Sequence, residues 1–356
     1  MRISKSIVKI LPELSDFDMI DAEGHTRLYF LFNNSGITVA VSNHGARIVS
    51  LIVPNRVNQP TDVVLGFHDA LSYQKRNASF FGATIGRYAN CIAQSIFETQ
   101  GAMFYLDQSH NDNWLHSGVN GFDRRTFNVL FADEKTIVMS IASDGGEDGL
   151  PGKLHLTVTY RLTLSKGLEI LYEATADRAM PVNLTNHTFF NLNGRGSGTV
   201  MNHCLHIKSD HFIPINQNPV STVAILPVDR SPFDFRKAMT IGSRIYDNSV
   251  QLKHGNGYNH AFVTKGNLRK VPVVRVMGEK SGIIMEVFTT EPGLHFYSGN
   301  ELGGASDVPA NQYGYRSGFV LETRHFPDSP NTVDFPSCVV RPGQSFRSRI
   351  MYKFLT

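Results

Sequence analysis

The sequence predicts an all-β fold, built as an antiparallel sandwich or barrel. Two observations carry that expectation. Helical periodicity is rare, whereas short runs of β-branched residues, Phe and Tyr recur along a chain that holds 24 Phe. Turn-forming residues separate those runs, and the chain holds 30 Gly. Strand-length apolar runs closed by Gly, Pro, Asn and Asp are the pattern of consecutive antiparallel strands.

In chain order, residues 37–41, 137–141, 154–164, 168–174, 271–276 and 283–289 read as strands. Asp144-Gly145-Gly146, Pro151-Gly152, Lys166-Gly167, Gly255-Asn256-Gly257 and Pro292-Gly293 punctuate them. The runs 154–164 and 168–174 flank Ser165-Lys166-Gly167 and read as one antiparallel hairpin. The length of 356 residues alone suggests two domains at roughly 150 residues each. No internal repeat, low-complexity tract or linker-like stretch divides the chain, so a single domain over 1–356 is expected.

Composition excludes several classes. Charged residues are 18% and hydrophobic residues 41%, which rules out intrinsic disorder. Lys plus Arg is 34 against 31 Asp plus Glu, a net charge of +3. The positive residues are scattered rather than clustered, so no nucleic-acid partner is expected. Cys91, Cys204 and Cys338 are too few and too far apart for a disulfide framework or a CxxC metal site. Free thiols in a reducing compartment are the expectation. The apolar stretch near the N-terminus is interrupted by Lys9, Pro12 and Glu13, unlike a signal peptide. No stretch reaches the roughly 20 apolar residues of a membrane helix, so a cytoplasmic protein with no membrane partner is expected.

Two segments carry the most chemistry. In 181–192, strand alternation puts Val182, Leu184, Asn186, Thr188, Phe190 and Leu192 on one face. Asn183, Thr185, His187, Phe189 and Asn191 fall on the other. That second row offers donors, acceptors and one aromatic plane, which suits a neutral, hydroxyl-rich ligand such as a sugar. The competing reading is an edge with polar residues in water. In 318–331, Phe319 and Leu321 face one way, while Val320, Glu322 and Arg324 face the other. Glu322 closes an apolar run, and desolvation raises a carboxylate toward the range of a general base. Arg324 on the same face pulls it back down; a purely structural Glu–Arg pair is the alternative.

Weaker signals lie elsewhere. Arg87 and Asn90 sit near a Gly-rich bend, His116 lies close to the only Trp, and Asn259 and His260 follow turn glycines. There is no Walker A and no G-x-S-x-G elbow. Gly194, Gly196 and Gly198 lack the strand–helix context of a dinucleotide fold. His203, His206 and His211 have no companion carboxylate or cysteine in a familiar ligand pattern, so no metal is expected.

Taken together, the segments resemble the aldose 1-epimerase (galactose mutarotase) family. The matching motifs run in family order from Gly66 to Pro342: GFHD, FFGATIGRYAN, NWLHSG, DGGEDGLPG, NLTNHTFFNL, PFDFR, GYNHAF, EPGLHFYSGN and SGFVLETRHFPDSPN. The resemblance implies a large antiparallel β-supersandwich with an open cleft. It implies interconversion of the α and β anomers of a free monosaccharide without a cofactor, by a monomer or homodimer. Carried over by position, Glu322 resembles the family's catalytic base, His187 its catalytic acid and His116 its substrate-binding histidine. Asn90, Asn259, Phe189, His295 and Arg87 complete the candidate substrate-binding set. In this chemistry the base takes the C1 hydroxyl proton while the acid protonates the ring oxygen. The ring opens, C1–C2 rotates, and the aldehyde recloses from its other face.

The chain departs from the family pattern at four places. Cys91 stands where Arg is typical, Asn259 where Asp is usual, Phe189 where Tyr is common and His295 where Gln is common. Losing one Arg and one Asp together preserves the local charge, the mark of a coordinated change. These departures predict a preferred sugar other than galactose or glucose. Two rivals remain at this stage. One is a same-fold enzyme acting on an oligosaccharide reducing end or a hexose phosphate, with Arg87 and Arg324 as candidate phosphate cations. The other is a non-catalytic sugar-binding protein.

Overall fold

The structure, a computed structural model, describes residues 3–75, 80–107, 112–217, 224–264, 271–304 and 312–356. Strands dominate, and the described helices are short, the longest being Ala70–Lys75. Among the described residues, no helix is long and apolar enough to cross a membrane.

A nine-stranded antiparallel sheet forms one layer. Its order is Asn128–Ala132, Thr136–Ser143, Leu154–Leu162, Gly167–Ala176, Ser345–Leu355, Ile284–Thr289, Val274–Met277, Cys204–Ile207 and Met239–Thr240. The expected hairpin is present, with Leu162 opposite Leu168 and the Thr163 N–H donating to the Gly167 carbonyl at 2.8 Å. Lys166 takes φ +56° in this turn. Alternation drives the layer: in Ser345–Leu355, Phe346, Ser348, Ile350, Tyr352 and Phe354 point inward between more exposed neighbours. The expected strand at 271–276 begins only at Val274, because Pro272 has no N–H to give a ladder. The run 37–41 becomes Thr38–Ser42, in a separate four-stranded sheet.

The second large layer is a six-stranded sheet. Its order is Phe189–Phe190, Phe319–Arg324, Gly293–Tyr297, Asn259–Val263, His211–Ile213 and Leu226–Pro227. One face of this sheet carries Phe190, Phe319, Leu321, Leu294, Phe296, Phe212 and Phe262 into the main core. There it meets the nine-stranded sheet, for example where the Phe190 and Tyr352 rings stand 5.2 Å apart. Burying such rings between two sheets is the main stabilising term of a sandwich. The opposite face of the six-stranded sheet is left to build a site.

The segment 181–192 is not the single strand expected. It breaks into Met180–Pro181, Thr185–Asn186 and Phe189–Phe190, which pair with Val339–Val340, Thr84–Ile85 and the strand Phe319–Arg324. The backbone changes partner every few residues, so it stitches three sheets together.

Candidate active site

Cross-strand register aligns the free face of the six-stranded sheet in rows. Phe189 pairs with Val320, Val320 with Tyr297, and Tyr297 with Asn259. In the next row Glu322 pairs with His295, which pairs with Ala261. In the row after that Arg324 pairs with Gly293. Directly opposed residues in an antiparallel ladder share a face. Glu322, His295, Arg324, Phe189 and Asn259 therefore line one wall.

His187 reaches this wall from the side. Its own N–H donates to the Ala83 carbonyl at 2.8 Å, and its carbonyl accepts from the Gly82 N–H at 3.0 Å. Gly82 sits at φ +67°, and a Cβ there would lie 1.9 Å from the Ile48 carbonyl oxygen, so only glycine fits. His116 comes from a third direction. The two-residue pair of Cys91–Ile92 with Trp114–Leu115 leads into it. Its backbone N–H donates to the Asn90 carbonyl at 3.0 Å, and its Nδ1 accepts from the Asn90 N–H at 3.3 Å. That second bond leaves the proton of the neutral ring on Nε2.

These elements bring His116, His187 and Glu322 together: one nitrogen or oxygen of each lies within 4.8 Å of those of the other two. The His116 and His187 rings are 5.4 Å apart and nearly perpendicular. Phe189 and Phe80 flank His187, with ring centroids 5.3 and 5.6 Å away. All three polar side chains are buried, with Glu322 only 2% exposed. Arg324 points its Nε at Glu322 Oε2 from 3.4 Å and is itself 1% exposed. His295 Nε2 donates to Asn259 Oδ1 at 2.7 Å, so in the neutral ring Nδ1 is an acceptor.

Burial governs the electrostatics. It lowers His187 from the ordinary histidine value, opposed by the Glu322 carboxylate. It holds His295 well below that value, with the Arg324 cation adding to the effect. The Cys91 thiol is pushed up to about 12, again by burial, so Cys91 is neutral and inert.

Four buried atoms of this cluster lack a protein partner: Glu322 Oε1, His187 Nδ1, His295 Nδ1 and Arg324 Nη2. Buried polar atoms are normally satisfied. Their four residues share one buried cluster, and unused donors and acceptors of this kind suit a ligand with several hydroxyl groups. A metal fits less well. The neutral His116 ring accepts the Asn90 N–H on Nδ1 and so presents an N–H, not a lone pair, from Nε2.

The other expected residues fall into two groups. Asn90 is half-buried and orients His116 through its backbone. Asn259 gives its carbonyl oxygen to His295. Arg87 departs from expectation. Its guanidinium donates to Ser143 Oγ at 2.6 Å, to the Gly152 carbonyl at 3.0 Å and to the Asp144 carbonyl, and Glu147 lies 3.7 Å away. These contacts commit the guanidinium to clamping the loop 144–152. The expected polar row of 181–192 is also corrected. Asn183 bonds the Ala89 and His325 carbonyls, Thr185 the Thr323 carbonyl, and Asn191 the Gly198 and Ser317 carbonyls. They fasten a backbone that changes sheet, and only His187 and Phe189 of that row line the site. His260 is structural too, accepting from the Asn259 N–H at 3.1 Å and facing Gln251 Oε1 at 3.1 Å. Phe80, which closes over both histidines, was not among the expected residues; a lone aromatic ahead of a Gly turn gives no distinct signal.

A family model described as Aldose 1-epimerase matches residues 27–353. The chain is 38% identical over 333 residues to an Aldose 1-epimerase of Escherichia coli K12, covering 92% of this chain and 95% of that protein. It is 36% identical over 340 residues to the Galactose mutarotase of Homo sapiens, covering 95% and 97%. Among solved structures, a galactose 1-epimerase from Lactobacillus acidophilus NCFM superposes with a TM-score of 0.83 at 25% identity, covering 94% of this chain and 96% of the other. A GalM/aldose epimerase homologue from C. elegans gives 0.82 at 28%, covering 93% and 99%. The expected supersandwich fold is thus that of its structural relatives, and the chain belongs to the aldose 1-epimerase family of isomerases.

Proposed function

We propose that the protein interconverts the α and β anomers of a free, neutral monosaccharide, with Glu322 as base and His187 as acid. The observation that carries this reading is the approach of a Glu322 oxygen and a His187 nitrogen within 4.8 Å in one buried site. Each residue also keeps one unpartnered polar atom there. Glu322 removes the C1 hydroxyl proton as His187 gives one to the ring oxygen. Reclosure from the other aldehyde face reverses the two roles. The His116 Nε2–H donates to the same region of the sugar, while Phe189 and Phe80 offer apolar surface to its C–H face. Each proton-transfer group contributes ~10²–10⁴-fold, and positioning adds to that. The relatives named aldose 1-epimerase and galactose mutarotase support the same reaction.

A neutral sugar is favoured over a phosphate because Arg324 is already opposed by Glu322 and Arg87 is tied to the loop 144–152. One core cluster runs from Leu31 to Phe354, which supports a single domain. Three free thiols fit the reducing cytoplasm. The test is polarimetry or NMR on freshly dissolved α-anomers. An enzyme gives acceleration proportional to protein concentration and lost in Glu322→Gln. A pure binder gives thermal stabilisation by the sugar with no acceleration.

A further inference from the structure

We propose that Arg324 is a substrate-contacting residue whose Nη2 donates to the 2-hydroxyl of the sugar, making that hydroxyl a specificity determinant. The inference rests on the anomerisation reading above and goes one group further.

Arg324 has more donors than the protein uses. Its Nε faces Glu322 Oε2 at 3.4 Å and its Nη1 donates to the His325 carbonyl at 3.3 Å. Its Nη2 is buried and has no partner. A buried guanidinium group left with an unused N–H is costly, since a lost charge-assisted hydrogen bond is among the larger single penalties in a folded protein. Gly293 directly opposes Arg324 in the ladder and brings no side chain over it. A Cβ at Gly293 would crowd Phe326 at 2.9 Å and the Arg324 carbonyl at 2.7 Å, so only glycine lets the two strands pair this closely beside Phe326.

The rows of the sheet fix which oxygen is reached. Phe189 pairs with Val320, so the chain running back from Phe189 to His187 runs alongside Val320 to Glu322. His187 therefore stands beside Glu322, and Arg324 lies one row further along the same face. A pyranose with its C1 hydroxyl at Glu322 and its ring oxygen at His187 presents its 2-hydroxyl as the remaining neighbour of C1. Arg324 Nη2 is the unpartnered donor on that side.

The test compares wild type, Arg324→Gln and Arg324→Lys on D-glucose and D-galactose and on their 2-deoxy analogues. The readout is kcat/KM above the spontaneous rate, with Glu322→Gln run in parallel and thermal unfolding recorded for each variant. Any loss through Glu322 alignment is common to all substrates. The contact predicts that Arg324→Gln loses at least about tenfold more on the parent sugar than on its 2-deoxy analogue. Arg324→Lys, which keeps the cation, recovers part of the difference. Should Arg324→Gln unfold, Arg324→Lys carries the same comparison, because a lysine cannot reproduce both Nε and Nη2 contacts. Equal losses on parent and deoxy sugars, or no loss at all, overturn the proposal while leaving the Glu322-dependent acceleration intact. A wild type that accelerates neither these sugars nor any member of a wider hexose and pentose panel overturns both readings.

Discussion

His295 stands directly opposite Glu322 in the ladder between Gly293–Tyr297 and Phe319–Arg324, and its far nitrogen donates to Asn259 at 2.7 Å. Asn259 and His295, both candidate substrate-binding residues from the sequence, are thus a single contact. An amide at 259 keeps the ring neutral and turns its Nδ1 into an acceptor beside the base. A carboxylate at 259 would draw a second proton onto the ring. Asn259→Asp is therefore expected to convert Nδ1 from acceptor to donor and to raise KM by about tenfold, the scale of one lost hydrogen bond to a neutral group, with kcat less affected. Kinetics across a hexose and pentose panel check this; an unaltered KM and unaltered sugar preference contradict it.

Activity should carry the signature of His187. The productive free enzyme holds one proton on the His187–Glu322 pair. Burial places the His187 value below the ordinary 6.5. The alkaline limb of the kcat/KM profile, where that proton is lost, is expected below pH 6.5. An alkaline limb above 6.5, or a flat profile, argues against this assignment.

Stability should fall on the acid side for a different reason. His260 and His44 are buried and held near about 3 in the folded chain, against 6.5 when exposed. The unfolded chain then binds the extra protons. Their contribution is complete above pH 6.5 and is lost as the pH falls toward 3, by about 1.4 kcal/mol per unit for each group. Unfolding free energies measured between pH 7.5 and 5 should show a shallower slope for His260→Gln than for wild type. An identical slope excludes His260 as a contributor.

Gly82 ties folding to catalysis. Its left-handed backbone and the Ile48 carbonyl 1.9 Å from any Cβ leave no room for a side chain, and its N–H holds the His187 carbonyl. Gly82→Ala is expected to destabilise the protein by about 3 kcal/mol and to lower activity through a displaced His187. Denaturant unfolding together with kcat decides it; a neutral substitution means that His187 is not fixed through this turn.

Much of the fold was legible in local pattern. The hairpin of Leu154–Leu162 with Gly167–Ala176 has apolar alternation and a Lys-Gly turn, and both survive in the structure. The longest strand, Ser345–Leu355, gave no apolar run because Arg347, Arg349 and Lys353 alternate with its buried residues. The site was legible as residue types but not as geometry. Glu322 and Arg324 share a face by simple alternation, as expected. Nothing local distinguishes His187, whose ring meets substrate space, from Asn183, Thr185 and Asn191, whose side chains tie down backbone. That difference arises because the segment changes partner strand, and partner choice is a long-range property. The Arg87 contacts are illegible for the same reason: its carbonyl partners, Asp144 and Gly152, lie in a distant loop.

The central claim is that Glu322 and His187 act on one sugar carbon together. The most direct measurement is the NMR or polarimetric exchange rate of a pure α-anomer with wild type, Glu322→Gln and His187→Asn, each confirmed as folded. The account predicts acceleration by wild type and a loss of ~10²–10⁴-fold in each variant. Full acceleration by a folded Glu322→Gln or His187→Asn protein would contradict it.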